Sequence, residues 1–256
     1  MQTALTEFLR DVDEVKVYLD LLQGVMDFAV ATTPAVEDAH AGGLAQRARD
    51  AGTPAIQIGH DGALLTLSAS FEEFVANLVS RYAEGLPTVI KNYSSLPEKF
   101  RRAHERFTGE VLSRFPNDRV RAFVPEVLVR NLYNCYQDAV PYKLNGQAVA
   151  LTDNNISGSE LATVFTRVGI SKVWEKVGKK TQVRDWFGAT SAEDVGAGAK
   201  NKLDQFVIDR NHTIHRGAEY RPIGPDSLKS YLGYFSVLAP VLVTVCEDQL
   251  RTLERR

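Results

Sequence analysis

An all-α protein is the fold class this sequence predicts, on three observations. Apolar residues recur at helical spacing over most of its 256 residues. Prolines and small polar residues fall where helices should open or stop. Only one short segment, 142–156, carries the turn chemistry of a hairpin, so strands should be few or absent.

Taken in order, Leu5, Phe8, Leu9, Val12, Val15, Leu19, Leu22, Val25 and Met26 place an amphipathic helix over residues 3–30, stopped by Thr32-Thr33-Pro34. Residues 32–62 mix small, polar, Gly and Pro residues and read as a linker, with a short helix around Leu44–Asp50. Residues 1–31 thus form an N-terminal amphipathic helix, and 63–256 a main helical domain. A helix from Ala63 to Glu84 puts Leu64, Leu67, Phe71, Phe74, Val75 and Leu78 on one face. Pro97 fits a first-turn proline, opening a helix to about Phe115. Asn117 or Asp118 should cap the next, which ends near Val140-Pro141. Asn145-Gly146 is a turn signal at which a small hairpin fits. Short helices follow over Ser159–Arg167, Ser171–Lys176 and Thr181–Phe187, then a small-residue loop at Gly188–Gly198. Ala199 to Ile214 is helical again, with Leu203, Phe206 and Val207 inward, and the last helix, from about Pro225 to Leu253, should bend at Pro240.

A hydrophobic content of 44% with 24% charged residues is that of an ordinary globular protein, and the formal net charge of −2 predicts no polyanion partner for the chain as a whole. The distribution is less even. Residues 1–40 carry eight acids against two bases, whereas 167–184 carry six bases (Arg167, Lys172, Lys176, Lys179, Lys180, Arg184) against Glu175 alone. The second segment is either a local polyanion surface or a solvated helix face. Cys135 and Cys246 both lie in apolar helical contexts, which suits free core thiols in a reducing compartment. Acids interrupt the N-terminal apolar residues, so no signal peptide is expected, and no apolar run approaches a membrane span. The expectation is a cytoplasmic protein with no membrane partner.

One stretch carries chemistry: Arg210-Asn211-His212-Thr213-Ile214-His215-Arg216-Gly217. A guanidinium can hold a phosphate through a bidentate fork, and an imidazole, ordinarily titrating near neutral pH, can move a proton. Together they suffice for metal-free RNA cleavage, because RNA supplies its own nucleophile in the 2′-hydroxyl. Five helical steps turn the chain by about 500°, leaving Arg210 and His215 about 140° apart in projection. The pair therefore works best where the helix frays, or where two copies face each other across a dimer. Asn211, four residues from His215, shares its face. The bland reading sets Arg210 against Asp204 or Asp209 and makes His215 a helix C-terminal cation. A zinc site on Asp209, His212 and His215 is a weak third reading, lacking a fourth partner. His104 reads as part of an exposed charged face, though a Cys135–His104 nucleophilic pair is also open. Trp174 and Trp186 suit base stacking less than core packing.

The run Leu203 to Gly217 resembles the signature of the HEPN (higher eukaryotes and prokaryotes nucleotide-binding) superfamily: an arginine, a polar residue, a few positions, then a histidine. Phe71-Glu72-Glu73-Phe74 resembles the acidic-aromatic helix of the large prokaryotic groups. Thr152-Asp153-Asn154-Asn155-Ile156, leading into Ser159–Ile170, resembles the corresponding segment of the RiboL-PSP-type families. The resemblance spans roughly 60–253. Ile214 stands where alanine is frequent in the family, and Arg216 precedes Gly217. What the resemblance implies is a HEPN-like helical bundle with an N-terminal helical extension, which dimerises and cleaves RNA without metal or cofactor, often as a toxin or anti-phage effector. Arg210 and His215 would be the catalytic pair with Asn211 beside them. His212, Arg216, Lys179, Lys180 and Arg184 would contact substrate. The implied partners are an RNA substrate, a second copy of the chain, and an antitoxin or regulatory protein. A non-catalytic HEPN module binding nucleic acid or a partner protein is the alternative.

Overall fold

The computed structural model describes residues 1–31, 39–115, 123–152, 155–215 and 220–255. Among them there are ten α-helices, one 3-10 turn and no strand. The helices are α1 (Gln2–Ala31), α2 (Ala39–Val89), α3 (Glu98–Arg114), α4 (Pro125–Tyr136), α5 (Gly146–Ala150), α6 (Gly158–Arg167), α7 (Val173–Gly178), α8 (Thr181–Phe187), α9 (Ala192–Ile214) and α10 (Pro225–Glu254); the 3-10 turn is Tyr93–Ser95. The all-α expectation holds.

Three local expectations give way. The stretch 32–62 is helical from Ala39 onward, as the first part of α2, interrupted only where Gly52 adopts a φ of 55° that other residues rarely reach. Asn145-Gly146 does not turn a hairpin: it opens α5, because the Asn145 side chain is drawn into the interior and does not face solvent as a turn would require. The small residues of 188–198 are not a loop beyond Ser191. They form the start of α9, where Ser191 Oγ accepts the Asp194 amide at 3.3 Å as an N-cap, and Glu193 and Asp194 complement the helix dipole. Their smallness serves packing. A Cβ at Gly178 would stand 1.9 Å from the Ala192 carbonyl oxygen, and one at Gly196 would stand 2.4 Å from that of Trp174, so α7 and α9 touch backbone to backbone. The caps expected at Asn117 or Asp118 lie outside the described residues; the helix that follows opens at Pro125, a first-turn proline.

The chain forms two compact units whose boundaries fall within α1, α2, α9 and α10. Unit 1 comprises residues 1–6, 72–204 and 237–256; unit 2 comprises 7–71 and 205–236. Unit 2 is knitted by aromatic rings from all four of its helices. Phe71 lies 4.6 Å from Phe235, Phe206 lies 4.8 Å from Phe235 and 5.1 Å from Tyr231, and Phe8 meets Phe71 at 5.8 Å. Such tilted and edge-on pairs contribute beyond their buried area.

Unit 1 is built around α3, whose Phe100, His104, Thr108 and Val111 all face inward. His104, read from sequence as exposed, is fully buried. Its Nε2 accepts the Asn145 amide at 3.0 Å, so Nδ1 carries the proton and lies 3.1 Å from the Tyr93 hydroxyl, which in turn donates to the Arg101 carbonyl. Asn145 completes the network through Thr108 Oγ1 at 3.1 Å and the Leu128 carbonyl at 3.0 Å, and accepts from Asn131 at 3.0 Å. The helical periodicity of α3 was legible; its inward polar residues looked solvent-facing because their partners lie up to 41 residues away.

α10 is long and apolar enough to cross a membrane by length and composition, with a mean hydropathy of 1.4 over an 18-residue window, contrary to the expectation that no such run exists. Of that window 61% is buried within the protein, so it also fits the role of a core helix. Leu228, Tyr231 and Phe235 serve unit 2 in this way, and Leu238, Leu242 and Cys246 serve unit 1.

Candidate functional site

The last turns of α9 carry Arg210, Asn211, His212 and, one residue past the helix, His215. All belong to unit 2. This tail is held on its inner side. Phe206 is buried in the aromatic cluster, and Thr213 is buried with its hydroxyl 3.0 Å from the Asp209 carbonyl. Asp209 is the main anchor: one carboxylate oxygen accepts a short hydrogen bond from the Tyr231 hydroxyl on α10, and the other accepts from Gln205 Nε2 at 2.7 Å. Burial, then the Asp209 carboxylate, push the Tyr231 phenol far above its ordinary range, so it stays a donor.

Arg210 is half-buried and donates from Nη1 to Asn211 Oδ1 at 3.2 Å. Neither Asp204 nor Asp209 takes the guanidinium. Asp204 instead holds Lys200 at 2.6 Å and the Gly158 amide at 2.8 Å in unit 1. Arg210 Nε is enclosed without a hydrogen-bond partner among the described residues.

His215 is exposed, and its backbone amide still donates to the Asn211 carbonyl at 3.1 Å. Asn211 thus links the two predicted catalytic residues, by side chain to Arg210 and by backbone to His215. His212 is half-buried. Arg216 lies outside the described residues. Also in unit 2, the buried Asp61 of α2 accepts from Tyr220 Oη at 3.0 Å and from Gln57 at 2.8 Å.

The other predicted substrate contacts are in unit 1. Lys179 is exposed and pairs with Glu175 at 2.9 Å; Lys180 is more sheltered and pairs with Asp248 at 2.6 Å; Arg184 donates to the Lys179 carbonyl at 3.0 Å. Lys176, Lys179 and Lys180 line a pocket of about 240 Å³ with Asp248 and Gln249. Trp174 packs inward, its indole N–H 2.7 Å from the Gly158 carbonyl. The zinc reading fares poorly on geometry: Asp209 is engaged by Tyr231 and Gln205, and among the described residues no three His, Cys, Asp or Glu side chains assemble as a ligand set. Nor is Cys135 an activated nucleophile, since burial pushes its thiol up to about 12 and its Sγ points at the Lys143 carbonyl.

Sequence reasoning found the polar residues of the α9 tail but missed the Tyr231 and Gln205 bonds to Asp209 and the Tyr220–Asp61 bond. Gln205 lies one turn before Asp209, within reach of a spacing argument. Tyr231 and Tyr220 pair across sequence separations of 22 and 159 residues, which no local pattern reports.

The end of α9 thus brings an arginine, an asparagine and an exposed histidine together in an all-α chain. The family profile described as RiboL-PSP-HEPN matches residues 57–248, three quarters of the chain, and the protein belongs to that family. No functionally curated protein and no solved structure matches it.

Proposed function

We propose that the protein is a metal-independent endoribonuclease whose catalytic residues are Arg210 and His215, with Asn211 positioning them. The carrying observation is the α9 tail itself: Asp209 is held by Tyr231 and Gln205, the half-buried Arg210 donates to Asn211, and His215 is exposed one residue past the helix end. His215 takes the proton from a ribose 2′-hydroxyl, the freed oxygen attacks the adjacent phosphorus, and the P–O5′ bond breaks. A second imidazole returns a proton to the departing 5′-oxygen. The products are a 2′,3′-cyclic phosphate and a 5′-hydroxyl. Arg210 neutralises the charge gathering on the non-bridging oxygens.

In this reading the second imidazole comes from another copy of the chain. His212 and Arg216 line the RNA path in this reading, with Lys179, Lys180 and Arg184 as more distant contacts. An apolar stripe on α1, with Val17, Leu21, Val25 and Phe28 exposed at helical spacing, supports a docking role for that helix, either in the homodimer or against a neutralising protein. Such an assembly in the cytoplasm fits a toxin or phage-defence effector.

The test is cleavage of a labelled RNA in EDTA, with product ends mapped. Cleavage that leaves cyclic phosphates and falls about 10²–10⁴-fold in His215→Ala supports the reading. Intact RNA that is still bound identifies instead a non-catalytic HEPN module, and cleavage that needs added metal overturns the mechanism.

A further inference from the structure

Unit 1 contains a cleft of about 580 Å³ lined by α3, α6 and the Leu151–Thr152 segment. Its α3 wall is a cationic stripe: Lys99, Arg102, Arg106 and Arg114 recur at helical spacing on the face opposite His104 and Thr108. Arg167 of α6 stands across from them. The lining therefore holds five cations against two carboxylates, Glu110 and Glu160, a local excess of positive charge in a chain whose net charge is −2.

The cations are of two kinds. Arg167 is built in: its side chain is only 15% exposed, its two terminal nitrogens bond the Leu151 carbonyl at 2.8 Å and Glu160 at 3.1 Å, and its guanidinium lies 4.2 Å from the centre of the Phe107 ring. Stacking on Phe107 from a second direction, Arg106 lies 5.3 Å from the same ring. By contrast the side chains of Arg102 and Arg106 are 77% and 72% exposed, and their ion pairs, with Glu98 and Glu110, are helix-surface ones. Exposed pairs of this kind are worth at most about 1 kcal/mol, so both guanidinium groups are free to re-pair with a stronger anion.

Lys99 to Arg114 spans fifteen residues, roughly 22 Å along the helix axis. A single phosphate group occupies only one turn of that stripe. Lys99, Arg102 and Arg106 on successive turns, with Arg114 beyond Glu110, match an anion that also repeats, and arginine forks in particular match phosphate oxygens. We propose that this α3–α6 cleft is a binding site for the phosphodiester backbone of a single-stranded nucleic acid, separate from the Arg210–His215 site of unit 2. The proposal stands whether or not the protein cuts RNA.

The probe is a fluorescent single-stranded RNA bearing 2′-O-methyl groups, which removes the nucleophile and so separates binding from cleavage. Its affinity for the full chain is measured by anisotropy across a salt series, for the native sequence, for Arg102→Ala/Arg106→Ala, and for Arg102→Lys/Arg106→Lys. Each phosphate contact on a single strand contributes about 0.7 to the slope of log K against log salt, so the double alanine variant should lower the slope by about 1.4 and weaken binding at least tenfold at low salt. The double lysine variant should retain most of the slope, because charge is kept. Circular dichroism confirms that these exposed substitutions leave the helices intact. An unchanged slope in the alanine variant overturns the proposal. So does a mononucleotide that competes as strongly as the strand, since the cleft would then hold one phosphate group and not a backbone. Loss of cleavage in His215→Ala with the slope unchanged would leave the cleft standing and bear only on the catalytic reading.

Discussion

Acidification should unfold this protein through one imidazole. His104 is fully buried, its Nε2 is used as an acceptor by the Asn145 amide, and burial lowers its pKa from the ordinary 6.5 to about 4. A second proton has nowhere to go: it would have to sit on Nε2, facing a backbone N–H, and would place a charge in the interior. The sign follows. Between pH 6.5 and 4 the unfolded chain binds a proton at this position that the folded chain refuses, so the stabilisation is complete above pH 6.5 and is lost as pH falls through that window. The full loss is about 3 kcal/mol, of which about 2 kcal/mol has gone by pH 5. Urea denaturation followed by circular dichroism at pH 7, 6 and 5 measures it. Carboxylates such as Asp138, whose pKa is lowered by the Ser94 amide, also lose stabilisation in acid, so the informative quantity is the difference from His104→Gln. That variant should be less stable at pH 7 yet lose about 2 kcal/mol less on going to pH 5. A parallel loss in both proteins, or an imidazole that titrates near 6.5 in the folded protein by NMR, would refute the reasoning.

Other substitutions test other parts of the framework. Gly178→Ala pushes a methyl group into the Ala192 carbonyl, where the approach is 1.9 Å, and should destabilise by about 3 kcal/mol or more; a melting temperature within a degree of the native value would mean α7 and α9 are not in backbone contact. Tyr231→Phe removes the donor to Asp209 and should cost about 1–3 kcal/mol by urea titration. It should also lower RNA cleavage without touching substrate, through a slackened α9 tail, and a double variant with Asp209→Asn should show less than additive loss. Cys135 and Cys246, both buried with thiols pushed well above their ordinary range, should react with a thiol reagent at pH 8 only after denaturant is added.

The helices were readable from sequence wherever an apolar face is buried, as with Leu64, Leu67 and Phe71 in unit 2 and Phe74, Val75 and Leu78 in unit 1. The start of α6, expected at Ser159, lies one residue earlier at Gly158, where Ser157 Oγ accepts the Glu160 amide as an N-cap, a local signal within reach of the sequence. Reading failed where the decisive partner was remote. His104 in Arg101-Arg102-Ala103-His104-Glu105-Arg106 is flanked by charge, and only the distant Asn145 and the Tyr93 turn make it interior. The small residues before Gly198 looked like a loop, since nothing nearby in sequence announces that another backbone packs on them. For the candidate site the reverse holds. Arg210, Asn211 and His215 were visible through their own chemistry, whereas the Tyr231–Asp209 and Tyr220–Asp61 bonds were not.

The two faces of α3 tie the buried network to the proposed cleft. Phe100, His104, Thr108 and Val111 fix the helix inward, and Lys99, Arg102 and Arg106 on its other side are thereby turned toward the cleft. A stripe held by this helix should keep its affinity for the uncleavable strand from pH 7 to 5, where the folded chain still refuses a proton at His104, and lose it as pH falls toward 4, where the imidazole is forced to charge. His104→Gln, which does not titrate, should keep its affinity at pH 4. Undiminished affinity of the native protein at pH 4 would show that the stripe keeps its geometry without the imidazole's help, and would cut the link between the core of unit 1 and its surface.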